Sequence, residues 1–174
     1  MYKLRELARE DMPIINTWRK NKELIDNPGA PFRYINQEVD YKWYEKYLLN
    51  RDNCIRCSIL REDDQIIGLV SLISIDRINQ SCVFHIMIGD SSSRHKGAGY
   101  FATKEILKHA FFDMNLNRVE LSVLESNQRA LDLYDKAGFK REGVKRKAVY
   151  KNGAFVDMVF MAILKEDFTI EVVE

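Results

Sequence analysis

The chain has 174 residues, of which 27 are Lys or Arg and 26 Asp or Glu, for a formal net charge of +1 at pH 7. That length supports one full core, and residues 1–174 read as a single domain. The charge balance excludes a protein built around duplex nucleic acid, which needs an excess of phosphate-neutralising side chains, and no run approaches the ~20 apolar residues of a membrane span.

The amino-terminal run Met1 to Glu10 is too charged for a secretory signal, so the chain is expected in the cytoplasm with no membrane partner. Tyr2 to Leu7 alternates apolar and charged side chains, as a strand with one wet face does. Asp11-Met12-Pro13 then supplies a helix start, with Ile14, Ile15 and Trp18 on its apolar face, and Asn27-Pro28-Gly29-Ala30-Pro31 ends that helix. Asn36 to Asn50 reads as a second helix, carrying Val39, Trp43, Tyr47 and Leu48 at helical spacing.

From Cys54 the texture changes to strands. Ile55 to Leu60 and Ile66 to Ile75 flank the charged turn Arg61 to Gln65, and a third run, Ser81 to Ile88, is apolar on both faces and belongs in the middle of the sheet. These three form an antiparallel meander. Cys54 and Cys57 match C-x-x-C, but residues three apart on a strand point to opposite faces, and no further pair completes a zinc site. With Cys82 they make an odd, low count that suits reduced thiols.

Gly97 to Met114 is the next helix, with Ala102, Ile106, Ala110 and Met114 in one stripe that Leu107 and Phe111 widen. Arg118 to Leu124 follows as a strand, and reaching it through a helix makes it parallel to Ser81 to Ile88. Asn127 to Ala137 is a helix closed by Gly138, where a left-handed residue is wanted. Phe139 to Tyr150 and Ala154 to Leu164 form a hairpin through Asn152-Gly153. The result is an α+β fold, a mixed and mostly antiparallel sheet flanked by helices.

Two runs carry chemistry. Arg94-His95-Lys96-Gly97-Ala98-Gly99 joins a central strand to a helix start, where backbone N–H groups and the helix dipole suit a bound pyrophosphate. Its spacing is neither that of a nucleotide-hydrolysing loop nor that of a dinucleotide fingerprint, and two glycines alone also serve a tight turn. The second run places the Tyr134 phenol inside a helix that begins at Asn127, a residue equally suited to capping that helix.

Both motifs, Arg94-x-x-Gly97-x-Gly99 and Asn127-x-x-Ala130-x-x-Leu133-Tyr134-x-x-x-Gly138-Phe139, together with the order of elements, resemble the GNAT family of N-acetyltransferases over residues 2–164. Glu142-Gly143-x-x-Arg146, with Lys151-Asn152-Gly153 and Asp157, resembles its branch of ribosomal-protein and spermidine acetyltransferases. The resemblance implies acetyl-CoA as cofactor, held in a splayed central strand pair. Main-chain groups of Met87 and Ile88 would pair with the pantetheine arm, and backbone N–H groups of Arg94, His95, Lys96, Gly97, Ala98, Gly99 and Tyr100 would hold the pyrophosphate. Asn127, with Ala130 in the same motif, would meet the pantetheine arm, and the basic stretch from Lys136 to Lys151 offers Lys136 to the cofactor's 3′-phosphate, an anionic substrate or RNA.

Tyr134 would then face the sulfur as general acid. A phenol of pKa ~10 protonates a thiolate whose acid is ~8.5 only when well placed. An acceptor amine of pKa ~10.4 must also lose a proton, and His85 is the titratable side chain of the central strand, with Glu120 and ordered water as the other candidates. The acceptor stays open among a protein amino terminus, a polyamine and a nucleotide-linked amino sugar. Where spermidine enzymes carry adjacent acidic residues, this chain reads Gly29-Ala30-Pro31-Phe32-Arg33, while Trp18, Arg19, Phe32 and Trp43 suit a base and phosphate or simply a core. A cofactor-binding sensor without turnover is the alternative class. The hairpin strands and the aromatic first helices offer surface for a homodimer contact.

Overall fold

In chain order the strands are β1 (Tyr2–Glu6), β2 (Ile55–Arg61), β3 (Ile66–Asp76), β4 (Ser81–Ile88), β5 (Arg118–Leu124), β6 (Lys140–Lys151) and β7 (Ala154–Leu164). The helices are α1 (Met12–Arg19), α2 (Lys22–Asp26), α3 (Gln37–Leu48), α4 (Ala98–Lys108) and α5 (Gln128–Ala137). This is a computed structural model, and it describes residues 1–26 and 30–169.

All seven strands share one sheet in the order β1-β2-β3-β4-β5-β7-β6. Every neighbouring pair is antiparallel except β4 and β5, which are joined through α4 and therefore run the same way. Their pairing is short: Ser81 to Arg118, Cys82 to Val119 and Val83 to Glu120. Beyond Val83 the two strands part, so the sheet is splayed at its centre.

Alternation along the strands sorts the two faces. Phe84, Val70, Leu72, Val119 and Leu121 pack beneath α4 and α5, with Ala102, Ile106, Leu107, Ala110 and Phe111 filling the expected stripe. Leu7, Met12, Ile15, Trp18 and Tyr47 form a second cluster where α1, α2 and α3 cover the opposite face. Cys57 packs with the first cluster and Cys54 with the second, and all three cysteines are free thiols. Among the described residues no helix is long and apolar enough to cross a membrane, and no group of His, Cys, Asp and Glu could hold a metal ion.

Caps and turns match their residues. The Asn36 side chain accepts from the Val39 N–H at 3.1 Å to start α3, and Gly138 ends α5 with φ of 102°. Asn152 and Gly153 take φ of 48° and 87°, the paired left-handed turn that a two-residue hairpin needs.

The structure departs from the sequence reading at three places. The first helix stops at Arg19, because Asn21 accepts from the Leu24 N–H at 3.2 Å and starts the separate α2; the breaker at Asn27 to Gly29 lies outside the described residues. The helix that begins at Ala98 closes as a π-turn over His109–Asp113, where His109 Nδ1 and Asp113 Oδ2 lie 2.7 Å apart. In β6 the register shifts twice, and Lys147, at φ of 52°, is held by its N–H donating to Asp157 at 2.7 Å.

Candidate active site

Where β4 and β5 part, a cavity of about 540 Å³ opens. Phe84 to Ile88 form its β4 wall, Ser122 and Val123 its β5 wall, and the loop from Arg94 leads into α4 at one end. Asn127, Ala130, Tyr134 and Lys136 reach it from α5. Residues far apart in sequence thus meet because the parallel pair lets go after three residues.

The loop is fixed before it reaches the cavity. Asp90 accepts from the Ser92 N–H at 3.0 Å and from the Ser93 hydroxyl at 2.6 Å, and these bonds hold its carboxyl below the usual carboxylate range. Downstream, His95 and Gly97 take φ of 63° and 86°, so the backbone turns sharply through the left-handed region on its way into α4. Gly97 is the N-cap of α4, and no side chain caps that end, which leaves first-turn N–H groups for a ligand. Arg94, His95, Gly97, Ala98, Gly99 and Tyr100 all line the cavity. Lys96 does not; its carbonyl accepts from the Tyr2 hydroxyl at 3.0 Å and ties the loop to β1.

Charge collects at this mouth. Arg129, which the sequence reading passed over, lines the cavity beside Arg94, and its proton affinity is lowered by burial first and by Arg94 second. Two guanidiniums that repel one another next to an uncapped helix start give this mouth a positive charge that suits a polyanion. Lys136 also lines the cavity, with its ammonium 4.5 Å from the Tyr100 ring centroid. Three others of the basic stretch are engaged elsewhere: Lys140 pairs with Asp167, Arg141 with Asp135, and Lys151 donates to the carbonyls of Ile25 and Ala30.

Tyr134 enters from the α5 side of the sheet. Its ring meets Phe84 and Phe139 edge-on, with centroids 6.0 Å and 5.7 Å away. Only 8% of the residue is exposed, and burial pushes its pKa up to about 12. That weakens it as an acid in isolation. Any proton it gives therefore depends on its placement beside the acceptor rather than on its acidity.

His85 follows Phe84 on β4 and therefore points to the other face, toward α1 and α3. Its ring keeps solvent access while the concave wall crowds it. Burial first, and the neighbouring Arg56 charge second, hold its pKa below the ordinary imidazole value, so it is neutral and able to accept a proton at pH 7. Glu120 is not on the cavity wall; it accepts from Arg118 at 3.2 Å on the paired stretch of β5.

Supporting contacts fix the β4 end. Gly89 lies so close under Trp18 that a Cβ would stand 2.0 Å from the indole, and Arg94 Nε reaches back to the Ile88 carbonyl at 3.4 Å. Met87 and Ile88 line the cavity while pairing with Leu69 and Gly68 on β3, which leaves the opposite edge of β4 without a strand partner beyond Val83. Asn127 is the N-cap of α5, its Oδ1 accepting from the Ala130 N–H at 3.2 Å, and it lines the cavity as well. An unpaired strand edge, a helix start without a side-chain cap and a cationic mouth fit a long ligand with an amide arm and a diphosphate.

Comparison with known proteins agrees with this geometry. The family model of the acetyltransferase (GNAT) domain matches residues 2–140. Spermidine N(1)-acetyltransferase of Vibrio cholerae is 29% identical over 95% of this chain and 94% of its own, and the putative ribosomal N-acetyltransferase YdaF of Bacillus subtilis is 27% identical over 91% and 85%. The crystal structure of spermidine N-acetyltransferase from Vibrio cholerae in complex with CoA and spermine superposes with a TM-score of 0.89, at 27% identity, over 95% of this chain and 96% of that one. The loop before α4, the parted strands and the whole chain order thus have one explanation: this protein belongs to the GNAT family, an N-acetyltransferase with acetyl-CoA as its acyl donor.

Proposed function

We propose that the protein acetylates a primary amine by direct attack within a ternary complex, with Tyr134 as general acid and His85 as general base. When bound, the cofactor supplies a thioester carbonyl that an amine can attack. Backbone N–H groups of Arg94, His95 and Gly97 to Tyr100, with the side chains of Arg94, Arg129 and Lys136 around them, would hold its phosphates. The free edge of β4 at Met87 and Ile88, faced by Asn127 and Ala130, would take its amide arm.

Tyr134 and His85 carry this reading: they line one cavity from opposite faces of the same strand. An acceptor entering from the α1 and α3 side meets His85, which takes the proton that the amine must lose. On the α5 side, the Tyr134 hydroxyl would be the group that gives the departing sulfur its proton. The phenol stays protonated throughout the neutral range because burial has raised its pKa to about 12. Phe84 and Phe139 pack around its ring and leave Tyr134 only 8% exposed.

Polyamines come first among acceptors to try because spermidine enzymes are among the relatives, followed by amino-terminal peptides and amino sugars. Coenzyme A release measured against such a panel tests the proposal. Turnover with any primary amine, lost in Tyr134→Phe, is the expected result. Saturable acetyl-CoA binding with no turnover on any amine would make the protein a binding module.

A further inference from the structure

Three side chains form a row across the sheet on the acceptor side. Arg56 on β2 pairs with Ser71 on β3, and Ser71 pairs with His85 on β4. The Arg56 guanidinium lies over the Trp43 ring, 4.8 Å from its centroid, and its Nη1 donates to Ser71 Oγ at 3.4 Å. Its Nε is sealed from solvent with no hydrogen-bond partner, the one such side-chain nitrogen or oxygen among the described residues.

A second guanidinium shares that indole, and the contrast is informative. Arg19 lies 5.7 Å from the Trp43 centroid and is matched by the fully buried carboxylate of Asp40, which also accepts from Asn16 at 2.6 Å. Arg56 has no carboxylate among the described residues. Burial first lowers its proton affinity, the Cys54 thiol and the Tyr47 phenol act in the opposite direction, and Arg19 adds a like charge. A methionine would fill the same space against Trp43 without an orphaned nitrogen or an uncompensated charge. What a methionine lacks is the ability to meet an anion.

We propose that Arg56 determines acceptor specificity: the amine that this enzyme acetylates carries an oxyanion, a carboxylate or a phosphate, that pairs with the Arg56 guanidinium while the amine lies at His85. This rests on the acetyl-transfer reading above and narrows its acceptor. A cation without a carboxylate partner, two strands from His85 on the same face of the sheet, repels a polyamine and attracts an amine whose far end is negative. The planar fork of the guanidinium suits either oxyanion.

The test uses matched pairs with the purified protein and acetyl-CoA: ω-amino carboxylates of increasing length beside their amides, ω-aminoalkyl phosphates beside their alcohols, and spermidine. In the supporting outcome, kcat/KM for the charged member exceeds its neutral partner by roughly tenfold or more in at least one ladder, which also tells carboxylate from phosphate. Arg56→Met then brings that ratio close to one, Arg56→Lys leaves an intermediate ratio, and the Met variant unfolds at or above the wild-type temperature. Equal rates within every pair, spermidine ahead of every charged acceptor, or a ratio that Arg56→Met leaves intact would overturn the proposal.

Titration with acetate or inorganic phosphate, read by tryptophan fluorescence, separates the two readings. A saturable change in the wild type that Arg56→Met abolishes supports the oxyanion site even if no amine is turned over. Turnover without that change, and without a charge preference, sinks this inference and leaves acetyl transfer standing.

Discussion

The ring of Tyr134 stands edge-on to that of Phe84, with centroids 6.0 Å apart and planes at 86°. This places a side chain of α5 against the first residue of β4 beyond the paired stretch with β5. Phe84 is therefore the spacer that sets how far the phenol reaches into the gap. The next residue, His85, leaves the strand on the other side, so the phenol and the imidazole are separated by the thickness of one strand.

Removing the phenol hydroxyl tests the acid alone. Tyr134→Phe keeps the ring contacts with Phe84 and Phe139 and should unfold close to the wild-type temperature. We expect kcat to fall by roughly 10²-fold or more, the usual worth of a positioned proton donor, with little change in acetyl-CoA affinity. Steady-state kinetics beside calorimetric binding checks both halves, and an unchanged kcat removes Tyr134 from the mechanism.

The pH dependence should rise from the acid side. His85 acts as a base only when neutral, and its pKa lies below the ordinary imidazole value, so kcat/KM should climb with pH through a limb below ~6.5. Tyr134 contributes no falling limb up to pH 9, because it stays protonated until about 12. In His85→Gln the low limb should vanish and the rate fall by roughly 10²-fold. A variant profile that overlays the wild type hands the proton to water.

Two glycines of the phosphate loop give a paired test. Gly97 has a φ of 86° with nothing within 4 Å of where a Cβ would stand, so Gly97→Ala is opposed by backbone strain alone, about 1–2 kcal/mol. A Cβ on Gly99 would meet the side chains of Leu133 at 3.4 Å and Ile88 at 3.9 Å, ordinary contacts for the folded protein. Gly97→Ala should therefore lower the unfolding temperature and weaken acetyl-CoA binding together. Gly99→Ala should unfold near the wild-type temperature and lose affinity only if the cofactor approaches that carbon closely.

Local chemistry made much of this fold legible. The Asn127 cap, the Gly138 stop, the Asn152-Gly153 turn and the crossover before β5 each depend on a few adjacent residues, and each stands where its residues required. The split between α1 and α2 was masked because the Pro and Gly residues beyond it looked like the stronger breaker, while Asn21 already supplied a cap. Arg129 was passed over because a basic residue on the first turn of a helix looks like solvated surface until Arg94 comes beside it in space. The stack of Arg19, Trp43 and Arg56 draws on α1, α3 and β2, and no spacing in the sequence announces it.

Arg129 also yields a prediction with opposite signs for binding and for stability. In the free protein it faces the like charge of Arg94, so Arg129→Gln removes a repulsion and should leave the unfolding temperature unchanged or slightly higher. With cofactor present, the same change removes a positive charge from the mouth of the cavity. Because Arg129 is solvent-exposed, the loss is screened, and we expect acetyl-CoA to bind about 3- to 10-fold more weakly in low salt, with the difference shrinking as salt is added. Binding isotherms for wild type and variant at low and high ionic strength check this, and equal affinities at low salt would place the phosphates away from α5.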